Sequence, residues 1–284
     1  MKLNKRYGTC VICGKETILT YEHIPPKMAL NNAPIKSYNG FNVMVDDNIL
    51  PWDFEGRKYK NLQKGMGKYT LCKECNNNTG SWYGNDYCEF AQNIATAIQS
   101  FNIPKDKNVI FECKNIYPLR IVKQIVSMFL SVNYDYIFQD LQEFVKDRYS
   151  TKFDESKYQI RMYLNNGKIH KLLPKTGIIK FGDTDNLINW DSSLFVSEIT
   201  TFPLCFILYF DPTNNQKKYG TDITSFCKFG YDDECNIQIP LALKEVNTSI
   251  HCDFRTKDEV ESTIKKSKEI IEQNKDFFES IKYL

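Results

Sequence analysis

The sequence has almost no net charge. Its 284 residues carry 37 Lys and Arg against 35 Asp and Glu, a balance of +2. No protein-wide field draws it to nucleic acid or to a charged membrane, so any such affinity must come from a local cluster. It also lacks an uninterrupted apolar run. The two most apolar windows, 121–137 and 194–210, are broken by Lys123, Gln124, Asn133 and Asp135 in the first and by Glu198 and Pro203 in the second. This excludes a membrane-spanning helix. Residues 1–6 lead toward a cysteine pair without an apolar stretch, so no secretory signal is expected and the chain is placed in the cytoplasm. Histidine is scarce, three residues in all, and the position of each therefore carries information. There is no internal repeat and no low-complexity stretch.

Cysteine, by contrast, is plentiful. Ten cysteines in a reducing compartment point to metal ligation or free thiols before disulfides. Four of them form two Cys-x-x-Cys pairs, Cys10 with Cys13 and Cys72 with Cys75, with 58 residues between the pairs. A two-residue spacing turns both sulfurs toward one metal, and Gly14 supplies a position that tolerates positive φ. Two such pairs satisfy the tetrahedral demand of structural zinc at sulfur distances of about 2.3 Å. Cys88, Cys113, Cys205, Cys227, Cys235 and Cys252 show no paired spacing and read as small buried apolar residues.

At 42% apolar residues the chain has enough core for two domains. Residues 1–100 are polar and rich in turns, which suits a small module held by zinc rather than by a core of its own. A strand over 17–21 runs into Glu22 and His23 and is stopped by Pro25-Pro26. Residues 27–68 show no assignable period. Their end, 57–68, holds five basic residues, no acid, and two glycines that permit close backbone approach to a ligand. Lys58, Lys60, Lys64 and Lys68 are the candidate nucleic-acid contacts, made to phosphate. A strand over 69–71 enters the second cysteine pair, and a helix is expected from Asn76 to about residue 99. Trp82, Tyr83 and Tyr87 on it are read as core before base-stacking residues.

A boundary near Pro104 opens a second domain, 101–284. Pro118 starts a helix pair reaching about residue 149, with apolar residues at helical spacing. Residues 158–164 alternate and lead through Asn165-Asn166-Gly167 to 168–173, the pattern of a hairpin. Further strands are expected over 176–181, 194–199, 204–210, 225–229 and 237–243, with turns at Asp211-Pro212 and Asn214-Asn215 and a charged amphipathic helix over 257–284. The expected class is α+β: a zinc-stapled ββα-type module, a helical segment, and a domain of mixed helix and antiparallel sheet with a C-terminal helix. His170 and His251 have no partners in sequence and are read as structural.

A four-cysteine site is closed and performs no chemistry, so catalysis would fall to neighbours that it fixes in place. Glu22 and Asn76 offer a carboxylate and an amide oxygen, ligands suited to a hard cation such as Mg²⁺ or Mn²⁺. His23 could take a proton from a water attacking a phosphodiester. Asn76 could equally be a helix N-cap.

The order Cys-x-x-Cys, Glu22-His23, Leu71-Cys72-x-x-Cys75-Asn76 and then Gly80 resembles the HNH (ββα-metal, treble-clef) endonucleases, and within them the subset typified by recombination endonuclease VII, over about residues 8–90. The resemblance implies His23 as general base, Glu22 and Asn76 as ligands of a catalytic Mg or Mn ion, and Cys10, Cys13, Cys72 and Cys75 around structural zinc. It implies hydrolysis of nucleic-acid phosphodiesters, DNA first, and by analogy a place in phage defence or a mobile element. Three departures stand out: Glu22 occupies a position more often Asp or His, no Asn precedes Leu71, and the insertion between the motif halves is long. The remaining chain is expected to supply substrate choice, regulation, or a contact with a partner or a second copy. Two rival readings share these residues: a non-catalytic zinc knuckle that binds nucleic acid or protein, and an RNA-directed nuclease or toxin.

Overall fold

The computed structural model describes residues 6–45, 49–178, 194–212 and 218–275. Strands β1 (Arg6–Thr9) and β2 (Glu16–His23) form an antiparallel hairpin with Cys10 and Cys13 in its turn. The stretch without a readable period contains β3 (Ile35–Ser37), helix α1 (Gly40–Val45) and β4 (Lys60–Leu62), β3 and β4 pairing as a ribbon. Strands of three residues are too short to display a period of two, which is why the sequence hid them. Strand β5 (Gly67–Cys72) then pairs with the open edge of β2, from Leu19 opposite Cys72 to His23 opposite Gly67. Asn31, buried, staples the two ends of the insertion: its Nδ2 donates to the Pro25 and Met66 carbonyls at 2.7 and 2.8 Å, and its Oδ1 accepts from Met66 N at 2.7 Å.

A helical run follows at once: α2 (Lys73–Thr79), a π-turn over Gly80–Gly84, and α3 (Asn85–Ser100). It begins three residues before Asn76, and its N-cap is Cys72, whose Sγ accepts from Cys75 N at 3.3 Å. Asn76 is thus free of the capping role. Tyr83 and Tyr87 are buried in the core, as core residues should be.

Strand β6 (Asn108–Ile116) occupies the stretch read as a boundary. Helices α4 (Pro118–Val132) and α5 (Gln139–Lys146) form the expected pair. Pro118 suits the first turn of α4, where its missing N–H costs nothing. α4 is buried on nearly every side and packs against α3, β5 and the large sheet. Even Lys123 is sealed inside, where its Nζ donates to the Phe144 carbonyl and, at 2.6 Å, to that of Asp147. A cation on the free carbonyls at the C-terminus of α5 is favourably placed toward the helix dipole.

The large sheet adds β7 (Tyr158–Asn165), β8 (Lys171–Ile178), β9 (Leu194–Thr200), β10 (Leu204–Phe210), β11 (Thr221–Asp222) and β12 (Cys235–Lys244), in the order β6-β12-β7-β10-β9-β8, with β11 also on β7. The β12–β7 pair is parallel and the others antiparallel, so the sheet is mixed. The fold is α+β and closes with α6 (Lys257–Gln273), started by a Thr256–Glu259 capping box.

Two expectations fail here. β7 and β8 do not form a hairpin, although Gly167 does turn the chain with φ +82°. All seven residues of β10 are buried, so β10 requires cover on both faces and neighbours on both edges, and it takes the place beside β7. Residues 225–229 are not a strand; a 3₁₀ turn spans Thr224–Lys228, with Phe226 and Cys227 adjacent in sequence and both buried. Residues 179–181, 214–215 and 276–284, to which a turn or element ends were assigned, lie outside the described residues.

One continuous buried cluster runs from Cys10 and Leu71 through Tyr87 and Val126 to Phe206 and Leu241. Among the described residues no helix is long and apolar enough to cross a membrane.

Candidate functional site

The four paired cysteines converge. Cys10 and Cys13 lie in the β1–β2 turn, Cys72 ends β5, and Cys75 stands in the first turn of α2. Their Sγ atoms lie within 4.8 Å of one another. The turn is closed by Gly14 N donating to Cys10 O at 2.9 Å, with Gly14 at φ +71°, and Val11 N ties it to Thr70 O of β5 at 3.0 Å. Ligands about 2.3 Å from a tetrahedral zinc stand about 3.8 Å apart, and Cys13 Sγ and Cys72 Sγ are 3.9 Å apart. All ten cysteines are free thiols. The Cys10 thiol is pushed down to about 4, first by the hydrogen bond from Cys75 and then by backbone amides against the effect of burial, while the Cys75 thiol is pushed up. The donor set and its spacing fit a structural metal such as zinc.

The metal-type cluster joins three segments that would otherwise be separate: the hairpin turn, the end of β5 and the start of α2. This arrangement presents the end of β2 to the helix. Asn76 Nδ2 donates to Thr20 Oγ1 at 2.9 Å and to Tyr21 O at 3.4 Å. Its Oδ1 accepts no hydrogen bond from the described residues. Asn76 therefore contacts β2 at Thr20 and Tyr21, and no hydrogen bond joins it to Glu22 or His23.

His23, the last residue of β2, is half-buried. Its Nε2 is buried and has no hydrogen-bond partner. The Tyr21 ring packs edge-on against the imidazole, with centroids 5.1 Å apart, and Tyr21 is itself anchored by its hydroxyl to Gly65 O at 2.9 Å. Burial holds the His23 pKa below the ordinary imidazole value; the charges of Lys27 and Lys64 push the same way, and a hydrogen bond to the Lys64 backbone opposes them. The ring is thus neutral near pH 7, oriented by its neighbours, and carries a nitrogen with nothing bound to it.

Glu22 points to the other side of β2, as successive strand residues must. It is 4% exposed and faces α4, where its Oε2 accepts from Ser131 Oγ and, at 3.4 Å, from Thr70 Oγ1. Burial raises its pKa to about 8, against the lowering effect of the Ser131, Thr70 and Ser127 hydroxyls. A neutral carboxyl turned to the core does not converge with the Asn76 oxygen. The pair Glu22 and Asn76, in this arrangement, does not fit as a joint site for Mg or Mn.

The four candidate lysines part company as well. Lys58, Lys60 and Lys64 are exposed. Lys68 instead folds back to the C-terminus of α4, with Nζ donating to Val132 O at 3.3 Å and lying 4.6 Å from the Tyr134 ring centroid. The two glycines among them serve the chain itself. A Cβ on Gly65 (φ +83°) would lie 2.4 Å from Asn31 O, and one on Gly67 would lie 2.1 Å from Glu22 O. These close approaches let β5 dock on β2 and are not reserved for a ligand.

Sequence reasoning missed Ser131 and Thr70, the partners of Glu22. One signal was available: Ser127 and Ser131 recur at a spacing of four within the apolar stripe of α4, and both are buried. Two hydroxyls on a core-facing helix stripe require a polar partner across the interface.

Comparison of the chain with protein-family models, with curated proteins and with solved structures gives no match.

Proposed function

We propose that the chain is an HNH-type endonuclease that hydrolyses nucleic-acid phosphodiesters, DNA first, with His23 as general base. The observation that carries this reading is the orphaned Nε2 of a neutral, oriented His23 at the end of β2, the strand that Asn76 grips through Thr20 and Tyr21, in a ββα unit (β2, β5, α2) that four cysteines clamp. In this reading the unit is the treble-clef, ββα-metal module, and the clamp is structural zinc.

Hydrolysis requires a base for the attacking water and positive charge for the phosphate. A neutral imidazole supplies the first, its lowered pKa keeping it unprotonated at neutral pH. The exposed Lys58, Lys60 and Lys64 supply the second by positioning the phosphate backbone. Because the Glu22 carboxyl is turned to α4, the reading rests on His23 and the lysines and not on a Mg or Mn ion held by Glu22 and Asn76. The burial of Glu22 also favours the second reading, a zinc module that binds nucleic acid without cutting it.

Plasmid nicking by wild type and His23→Ala, with Mg²⁺, with Mn²⁺ and with neither added, separates the two. Nicking by wild type alone is the expected result. Equal inertness of both proteins on DNA and RNA, with binding retained, would refute the enzyme reading. Cleavage confined to RNA would keep the site and change the substrate.

A further inference from the structure

A cleft of about 450 Å³ opens between the insertion and the edge of the large sheet. One wall is the β3–α1–β4 insertion with Tyr38 and Phe54; the floor is the start of β5, with Met66, Gly67 and Lys68; the opposite wall is β8 and the turn before it, with Lys168 and His170. Gly67 is the residue paired with His23 across β2 and β5, so the cleft begins one strand away from the candidate base.

The lining is strongly one-sided in charge. Four lysines and a histidine line the cleft, and no Asp or Glu does so among the described residues. Lys171 is neutralised by Glu198 at 3.1 Å. Lys36, Lys68 and Lys168 form no salt bridge with any described residue. Lys68 is held at the C-terminus of α4 near Asp135 and Lys168 lies near Glu245 outside the lining, but in a chain whose overall balance is +2 a cleft lined by lysines and by no described acid is the local cluster that nucleic-acid affinity would need.

The aromatic wall supplies a second recognition element. Tyr38 lies 4.6 Å from Phe54 and 5.8 Å from Tyr59 between ring centroids, and Lys36 Nζ lies 4.6 Å from the Tyr59 ring. The walls are tied together: Ser249 Oγ donates to Gly40 O of α1 at 3.1 Å. Cations beside half-exposed aromatic faces are the combination that binds unpaired nucleotides, charge on phosphate and ring on base. The volume lies in the range of sites for small ligands, about 300–1,000 Å³, and accommodates one nucleotide but not a duplex.

From these observations we infer that the cleft binds an unpaired nucleotide within a nucleic-acid strand. A strand is favoured over a free nucleotide because the cations continue beyond the cleft. Lys60 stands opposite Ser37 on the β3–β4 ribbon, and the charges of Lys64 and Lys27 reach His23. A backbone leaving the cleft would cross this line toward the candidate base. The inference rests on the nuclease reading for its meaning, but it concerns binding and is tested apart from cleavage.

The test is fluorescence anisotropy with labelled eight-residue thymidine and uridine oligonucleotides, without added divalent ion. Lys36 and Lys168 are exposed, so the double variant Lys36→Ala/Lys168→Ala should fold, which its melting midpoint checks. Its affinity should fall on the order of tenfold, and the slope of log affinity against log salt should shrink by about 1.4, the value for two lost contacts to a single strand. Tyr38→Ala should lose on the order of tenfold through stacking. Lys114→Ala, far from the cleft, should bind as wild type does. Wild-type affinity and slope in the double variant would overturn the inference, as would a wild type that binds neither oligonucleotide. Free nucleoside monophosphate competing as well as the oligonucleotide would overturn the strand assignment. Nicking assays on the same proteins separate the two claims. A variant that binds and cuts like wild type sinks the cleft and leaves the nuclease; binding lost in the variant with no cleavage by any protein sinks the nuclease and leaves the cleft.

Discussion

Replacing Glu22 by glutamine should make the protein more stable at alkaline pH, because the native carboxyl is buried in its neutral form. Its pKa rises from 4.5 to about 8, with burial the largest cause. The sign follows directly: an acid whose folded pKa lies above its unfolded value holds its proton longer when folded. Its contribution is intact below pH 4.5 and is lost progressively as pH rises toward 8. A shift of that size corresponds to about 5 kcal/mol in all, or about 1.4 kcal/mol per pH unit across the window. Glutamine has no proton to lose, and its amide oxygen can still accept from Ser131 and Thr70. Urea denaturation of both proteins from pH 5 to pH 8.5 should therefore show near-equal stability at the acid end and a difference that widens in favour of Glu22→Gln. A difference independent of pH, or one that widens in favour of wild type, would refute the burial argument. The same variant tests the catalytic assignment: nicking retained by Glu22→Gln makes Glu22 a strut between β2 and α4, whereas a folded variant that no longer nicks makes it a ligand of the divalent ion.

Cys72→Ser should lower stability by more than about 3 kcal/mol, part of the about 10–16 kcal/mol that a structural zinc contributes, while His23→Ala should melt within about 1 kcal/mol of wild type; overlapping melting curves for these two variants would contradict the frame-and-site division. Gly67→Ala should cost about 1–3 kcal/mol or more by overpacking, because the new methyl would stand 2.1 Å from Glu22 O and 2.7 Å from the Tyr21 ring. Gly80→Ala, with nothing within 4 Å of the new atom, should gain up to about 1 kcal/mol from helix propensity. Equal denaturation midpoints for the two glycine variants would show that the tightness at Gly67 is not real.

Elements that declare themselves locally were legible. The apolar stripe of α4, the uninterrupted apolar run of β10 and the capped start of α6 each follow from a window of about ten residues. Pairing was not legible, because it is decided by distant segments. The Asn165-Asn166-Gly167 turn signals a hairpin as strongly as any in the chain, yet β7 is claimed by β10 on one edge and by β12 on the other. β6 was hidden by the turn residues before it, although Phe111 and Cys113 face inward while Ile110 and Glu112 face out, the alternation of a strand covered on one face. Its partner β12 lies more than a hundred residues away and had no means of appearing in the same window.

The candidate site divides along the same line. The cysteine spacings are local geometry, and they predicted a convergence that the structure contains. Adjacency in sequence was a poor guide to the rest, because Glu22 and His23 are neighbours on a strand and therefore face opposite ways. One side of β2 meets Ser131 and buries an acid; the other meets Tyr21 and leaves an imidazole nitrogen unpaired. A motif written as two consecutive letters thus separates into two physical roles, one holding β2 on α4 and one leaving a half-buried imidazole without a partner on Nε2. The cysteine cluster alone could not fix the orientation of β2, since it grips the strand only through the hairpin turn at its start. The Glu22–Ser131 contact grips it near its end, next to His23, so the helix that a sequence reading assigned purely to the core also determines where the candidate base points.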